Sequence, residues 1–95
     1  MARLTWVPEA LRDVERLRQF LMDKSPVAAA RAAAAIIEGT LRLRQFPALG
    51  RPDELGEFHD LFIPHGAGAY VLRYRLDAKR DVIVVRVWFS REERP

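Results

Sequence analysis

The sequence predicts an α+β fold, a small twisted antiparallel sheet covered on one face by an antiparallel two-helix hairpin, in the order β-α-α-β-β-β. Three observations carry this expectation. The C-terminal third, from Phe58 to Arg91, holds three runs rich in Val, Ile, Leu, Phe and Tyr, separated by loop-sized breaks at His65-Gly66-Ala67-Gly68 and Asp77-Ala78-Lys79-Arg80. Within those runs side chains alternate across the pleat, so one face needs a cover. Upstream, two helical patterns meet at the short connection Asp23-Lys24-Ser25-Pro26 and provide one.

Arg3-Leu4-Thr5-Trp6-Val7 alternates apolar and polar residues and reads as an edge strand. Pro8 fits the first helical position, with Glu9 favourable beside it in the first turn, and the helix runs to about Met22. Its apolar stripe is Ala10, Val14, Leu17 and Leu21, flanked by Leu11, while Glu9, Asp13 and Glu15 read as a solvated face. Val7 stands where a capping hydroxyl or carboxamide is preferred, an omission worth about 1 kcal/mol. Ser25 and Pro26 start a second helix whose alanine-rich first half, Ala28 to Ala35, allows close approach of a neighbour. Ile37 and Leu41 continue one side of it, Ile36, Thr40 and Leu43 lie alongside, and Phe46-Pro47 ends it.

An irregular loop from Ala48 to Gly56 leads into the sheet. In the middle run Tyr70, Leu72, Tyr74 and Leu76 share the parity assigned to the core, and Arg73 and Arg75 the other. In the last run Ile83, Val85, Val87 and Phe89 share one parity, and Val82, Val84, Arg86 and Trp88 the other. The sheet therefore gains one covered face and one carrying guanidinium groups beside aliphatic and aromatic surface.

Ninety-five residues support one domain, 1–95, with a single core. A 49% hydrophobic fraction argues against intrinsic disorder. The net charge is +3, and apart from the histidines every basic residue except Lys24 and Lys79 is arginine. Such a balance favours carboxylate or phosphate partners, whether nucleic acid, a nucleoprotein machine or an acidic protein. Without cysteine there is neither a disulfide framework nor a cysteine metal site, and no metal-ligand cluster or nucleotide loop stands out, so no cofactor is expected. The N-terminal segment lacks the uninterrupted apolar core of a secretory signal, and the most apolar tract, Val27 to Ile37, is too short for a membrane span. The expected location is cytoplasmic, with no membrane partner.

Several pieces in order then resemble the RelE/ParE toxins of bacterial type II toxin-antitoxin systems. They are Trp6-Val7-Pro8-Glu9-Ala10 leading to Asp13-Val14, Pro47-Ala48-Leu49-Gly50-Arg51 as a P-x-x-G-R loop, Glu54-Leu55-Gly56, Tyr70-Val71-Leu72-Arg73-Tyr74-Arg75, and Val84-Val85-Arg86-Val87-Trp88. The resemblance implies a growth-inhibiting protein held inactive in a hetero-oligomer with a cognate antitoxin whose C-terminal segment wraps it. It also implies one of two targets: DNA gyrase, bound by the ParE class, or the ribosome and its mRNA, cut by the RelE class. The ParE class is the expectation here, because many relatives carry histidine where Phe89 stands, phenylalanine transfers no proton, and with few lysines a complete general acid-base set is hard to assemble.

Metal-free RNA cleavage requires a base, an acid and cations around the reacting phosphate. If the protein is a nuclease, Arg73, Arg75, Arg86 and His59 are the catalytic candidates. For partner or target binding the candidates are Arg51, Arg73, Arg75, Arg86, Trp88 and Arg91. Each has a plainer alternative. The arginines of the strands either recognise an acidic partner or pair with Asp60, Glu57 or Asp81, and Arg51 either reaches the target or braces its loop. Trp88 either stacks on a partner group or packs on a neighbouring strand, Tyr70 and Tyr74 are core residues, the histidines are solvated or satisfied, and Arg91 to Arg94 form a solvated tail.

Overall fold

The computed structural model describes residues 1–92. Its elements are β1 (Leu4–Trp6), α1 (Pro8–Lys24), α2 (Pro26–Gln45), β2 (Arg51–Pro52), β3 (His59–His65), β4 (Gly68–Leu76) and β5 (Val82–Phe89). One five-stranded sheet has the order β1-β5-β4-β3-β2, and the helical hairpin lies on one face of it. The expected class holds with two refinements. The N-terminal strand runs parallel to β5, pairing Leu4 with Val82 and Trp6 with Val84, so the sheet is mixed. The two-residue β2 adds to β3 through Arg51–Asp60 and Pro52–His59, inside the stretch expected to be irregular.

Helix boundaries follow local chemistry. Val7 gives α1 no side-chain cap, whereas the Ser25 hydroxyl accepts from the Ala28 N–H at 3.2 Å and starts α2 directly after α1. The last turn of α2 closes with the Phe46 N–H donating to the Arg42 carbonyl at 2.7 Å, just before Pro47 stops the helix. The face that α2 buries is Ala29, Ala32, Ile36, Gly39 and Leu43. Ile37 and Leu41, expected to continue one side of the helix, are 59% and 49% exposed, and it is Ile36 and Leu43 from the side alongside that are buried. Gly39 decides between these neighbouring stripes: a Cβ there would fall 2.6 Å from Ile63 Cδ1, so only the glycine side lets the helix settle on β3.

Tyr70, Leu72 and Tyr74 of β4 face the helices and are buried with Leu61 and Ile63 of β3, as their parity predicts. In β5 the strict alternation fails. Arg73 pairs with Arg86 but Tyr74 pairs with Val84, so Val85 is an extra residue on that strand. A bulge of this kind reverses the facing of everything beyond it. Val82 and Val84 therefore join the core from one side of the bulge and Val87 from the other, while Arg86 and Trp88 remain on the outer face.

Candidate functional site

On the face away from the helices, register places four side chains in one row across four strands. Arg51 of β2 lies opposite Asp60 of β3, Asp60 opposite Arg73 of β4, and Arg73 opposite Arg86 of β5. The next row is Phe62, Val71 and Trp88. Asp60 grips Arg73 in a fork, taking Nε at 2.8 Å and Nη2 at 3.1 Å. Held this way, the guanidinium lies 5.0 Å from the centre of the Trp88 ring. The bond from Asp60 is also the main reason that Arg73 is still harder to deprotonate than an ordinary arginine. Trp88 shares the arginine face as expected, but it is buried beneath Arg73 and is not an open stacking platform.

Arg86 turns the other way. Beyond the reach of β1, the open side of β5 has backbone groups facing α1, and side chains of that helix fill them. Asp13 accepts from the Val87 N–H at 2.8 Å and from Arg86 Nε at 2.8 Å through Oδ2, and from Arg16 Nη1 at 2.6 Å through Oδ1. Arg16 continues to Glu92 at 2.9 Å, and Glu92 accepts from the Phe89 N–H at 2.8 Å. Asp13 is only 3% exposed, which overturns its reading as part of a solvated helix face. Burial alone disfavours its charge and is the largest single influence, yet the bonds from Arg86, Val87 and Arg16 together outweigh it and hold the carboxyl below its ordinary pKa. The sequence signal was its spacing, three residues after Ala10 and four before Leu17, on the buried stripe.

The loop before β2 is fixed by Tyr74. The Gly50 N–H donates to its hydroxyl oxygen at 2.8 Å, and that hydroxyl donates to the Pro47 carbonyl at 2.7 Å. Bracing comes from this buried phenol, whose pKa burial raises, and not from Arg51. Arg51 is exposed and makes no side-chain hydrogen bond or ion pair among the described residues.

The nuclease candidates are not brought together. Arg73 is clasped by Asp60 and Arg86 by Asp13, whereas Arg75 is exposed opposite Ile83. The mutual repulsion expected of the three arginines is answered at Arg73 and Arg86 by carboxylates of this same chain, and Arg75 stands apart from them in solvent. His59 stacks on Tyr74 with ring centres 5.2 Å apart, and its Nδ1 is buried without a partner. His65 ends β3 and lies tilted against Tyr70. Arg91 is exposed in the turn after β5, and Glu92 folds back onto Arg16 rather than joining a solvated tail; Glu93 and Arg94 lie outside the described residues. Among the described residues no cluster of three or more His, Cys, Asp or Glu is placed to hold a metal, and no helix is long and apolar enough to cross a membrane.

The chain is thus a helical hairpin on a small mixed sheet whose outer face is rich in arginine. Residues 4–94 match the family model described as ParE toxin of type II toxin-antitoxin system, parDE, and the chain belongs to that family. It is similar to "Toxin RelE3" of Caulobacter vibrioides, 37% identical over 89 residues and covering 92% of each chain. "Toxin RelE1" of the same organism is 37% identical over 86 residues, covering 90% of this chain and 89% of that one. Among solved structures, one titled "Chromosomal ParDE TA system from P. aeruginosa" superposes with a TM-score of 0.74 over 92% of this chain and 94% of that one. At 21% identity this likeness shows the fold.

Proposed function

We propose that this toxin arrests growth by binding DNA gyrase in the cytoplasm and that a cognate antitoxin silences it. The observation that supports binding over cleavage is the engagement of the two central arginines. A transition-state cation has to meet the developing charge directly. Here Asp60 and Asp13 already occupy Arg73 and Arg86, His59 is stacked inside, and Phe89 offers no proton. Arg51, Arg75 and Arg91 are exposed and form no ion pair among the described residues, and they are the target contacts in this reading. Arg73, Arg86 and Trp88 shape the surface beneath them.

Antitoxin capture is supported by an apolar groove between α1 and α2 beside β1, lined by Trp6, Leu11, Val14, Ala33, Ile36 and Ile37. Leu11 and Ile37 are 53% and 59% exposed there, which suits the apolar face of an amphipathic segment. The names of the Caulobacter relatives, RelE3 and RelE1, favour the second reading, a ribosome-dependent mRNA endonuclease of the RelE type.

Purified protein in a gyrase supercoiling assay, and in a translating-ribosome assay with end-labelled mRNA, separates the two. Inhibition of supercoiling with intact mRNA is expected; site-specific mRNA cuts with unaffected gyrase sink the gyrase reading. In the first assay, Arg51→Ala combined with Arg75→Ala is expected to raise the half-inhibitory concentration by about tenfold or more, the scale of losing an anchoring contact. The melting temperature should hardly move, because exposed substitutions away from packing stay within about 0.5 kcal/mol.

A further inference from the structure

Where the β4–β5 turn meets β1, a cleft of about 420 Å³ is lined by Arg3, Thr5, Lys79 and Ile83 together with Asp77 and Asp81. The two carboxylates are engaged by the backbone. Asp77 Oδ1 accepts from the N–H groups of Lys79 and Asp81, both at 2.9 Å, and Asp81 Oδ1 accepts from the Arg3 N–H at 2.9 Å. The side chains of Arg3, Lys79 and Arg80 are exposed and form no hydrogen bond or ion pair among the described residues. Arg80 carries a further mark. Its φ of 63° lies in the left-handed region, which glycine and asparagine enter at far lower cost than arginine. Since its guanidinium gives the fold no polar contact in return, the choice of arginine at this strained position serves something outside the chain.

Charge and shape name the occupant. Arg75 lies opposite Ile83 on β4 and Thr5 opposite it on β1, so Arg3, Arg75, Lys79 and Arg80 meet only Asp77 and Asp81 in this corner, which stays positive. Separate cations beside an exposed hydroxyl suit a run of phosphates, each taking its own donor, with lysine acting as a point charge. The volume lies in the range that holds a whole small molecule, far more than one carboxylate side chain fills. Single strands are gripped by aromatic side chains that stack on their bases, and no aromatic residue lines this cleft. The corner is also preorganised: the Arg3 carbonyl accepts from the Val82 N–H at 2.8 Å, and the Asp77 N–H donates to the Asp81 carbonyl at 3.0 Å. A partner whose phosphates are equally fixed meets it with little loss of freedom. We propose that this corner binds the phosphate backbone of duplex DNA, and that the duplex is the one the target holds. Arg75, a target contact in the gyrase reading, adjoins the cleft through Ile83, so one continuous surface meets the enzyme and its DNA. The source of the duplex rests on the gyrase reading; the phosphate-binding corner does not.

The probe is a fluorescein-labelled DNA duplex of mixed sequence, titrated with the full chain and followed by fluorescence anisotropy over a range of salt. Each phosphate contact steepens the fall of log K against log salt by about 0.9, so three cations give a loss of roughly fortyfold or more between about 50 and 200 mM. Lys79→Gln combined with Arg80→Gly is expected to flatten that slope by about 1.8. Its melting temperature should not fall, because glycine relieves the left-handed φ and Lys79 is exposed. A merely structural role for these residues would give the reverse, lower stability with an unchanged slope. No binding of the duplex, an unchanged slope in the double variant, or tighter binding of single-stranded RNA or of poly-L-glutamate overturns the proposal. The titration contains no gyrase. A protein that inhibits supercoiling yet ignores DNA refutes the corner alone, and one that binds DNA without inhibiting supercoiling refutes the gyrase reading and leaves the corner standing.

Discussion

Replacing Asp13 with alanine is expected to cost roughly 3–5 kcal/mol, the penalty for stranding the partners of a buried ion pair. Three groups lose their acceptor together: the Arg86 and Arg16 guanidiniums and the Val87 N–H on the open side of β5. A domain of this size has about 5–15 kcal/mol of stability in all, so the variant should melt roughly 15–30 °C lower by circular dichroism. Removing one donor instead, as in Arg86→Ala, leaves Asp13 with Arg16 and Val87 and should cost clearly less. If Asp13→Ala melts within a few degrees of the parent, the carboxylate is not the pin between α1 and β5.

The same residue sets a pH dependence with a definite sign. Its folded pKa is lowered, so the unfolded chain binds the proton more readily. The stability Asp13 provides is thus complete above its unfolded pKa of about 3.9 and is lost as pH falls from there through the lower folded value. Asp13→Asn keeps the shape and removes the titration. Urea midpoints measured down the acid limb should show the parent converging on the variant; parallel curves would contradict the assignment.

Where pattern was redundant, the chain was legible from its residues. The two helices and the three C-terminal strands follow from apolar spacing bounded by Pro8, Pro26, Pro47 and the loop-forming breaks. Ambiguity arose where two answers share one pattern. Ile36 and Ile37 head adjacent apolar stripes on α2, and only the tight fit of Gly39 on Ile63 selects the first. Val82 to Val85 is aliphatic throughout, so nothing local marks Val85 as the bulged residue, and alternation carried through it assigns Val82 and Val84 to the wrong face. At the site the arginines of the outer face were visible, but their partners were not. Asp13 lies on an apolar stripe, and a carboxylate there is read as solvated unless the strand edge needing an acceptor is already known. Parallel pairing of β1 with β5 joins residues nearly eighty positions apart and leaves no local trace.

Gly50→Val is expected to be the second severe substitution, at roughly 3 kcal/mol, and it acts on the loop that presents Arg51. A Cβ at this position would sit 2.7 Å from Tyr74 Cε1, 2.8 Å from its hydroxyl oxygen and 3.1 Å from the Asp60 carbonyl carbon. Tyr74 cannot yield, since it is fully buried and stacked on His59, and the strand backbone at Asp60 is pinned between β2 and β4. The loop must move instead. Overpacking costs about 1–3 kcal/mol, and moving the loop also breaks the Gly50 and Pro47 bonds to the phenol, leaving buried polar groups unpaired. Tyr74→Phe keeps the ring and removes only those bonds, so it should cost less than Gly50→Val. The double variant should fall short of the sum, because both changes sever the same two bonds. Strictly additive losses would mean that Gly50 is constrained by something other than Tyr74. The gyrase assay adds a second readout: if Arg51 contacts the target, Gly50→Val should lose inhibition at temperatures where it is still folded, because its loop no longer carries the guanidinium to the same place.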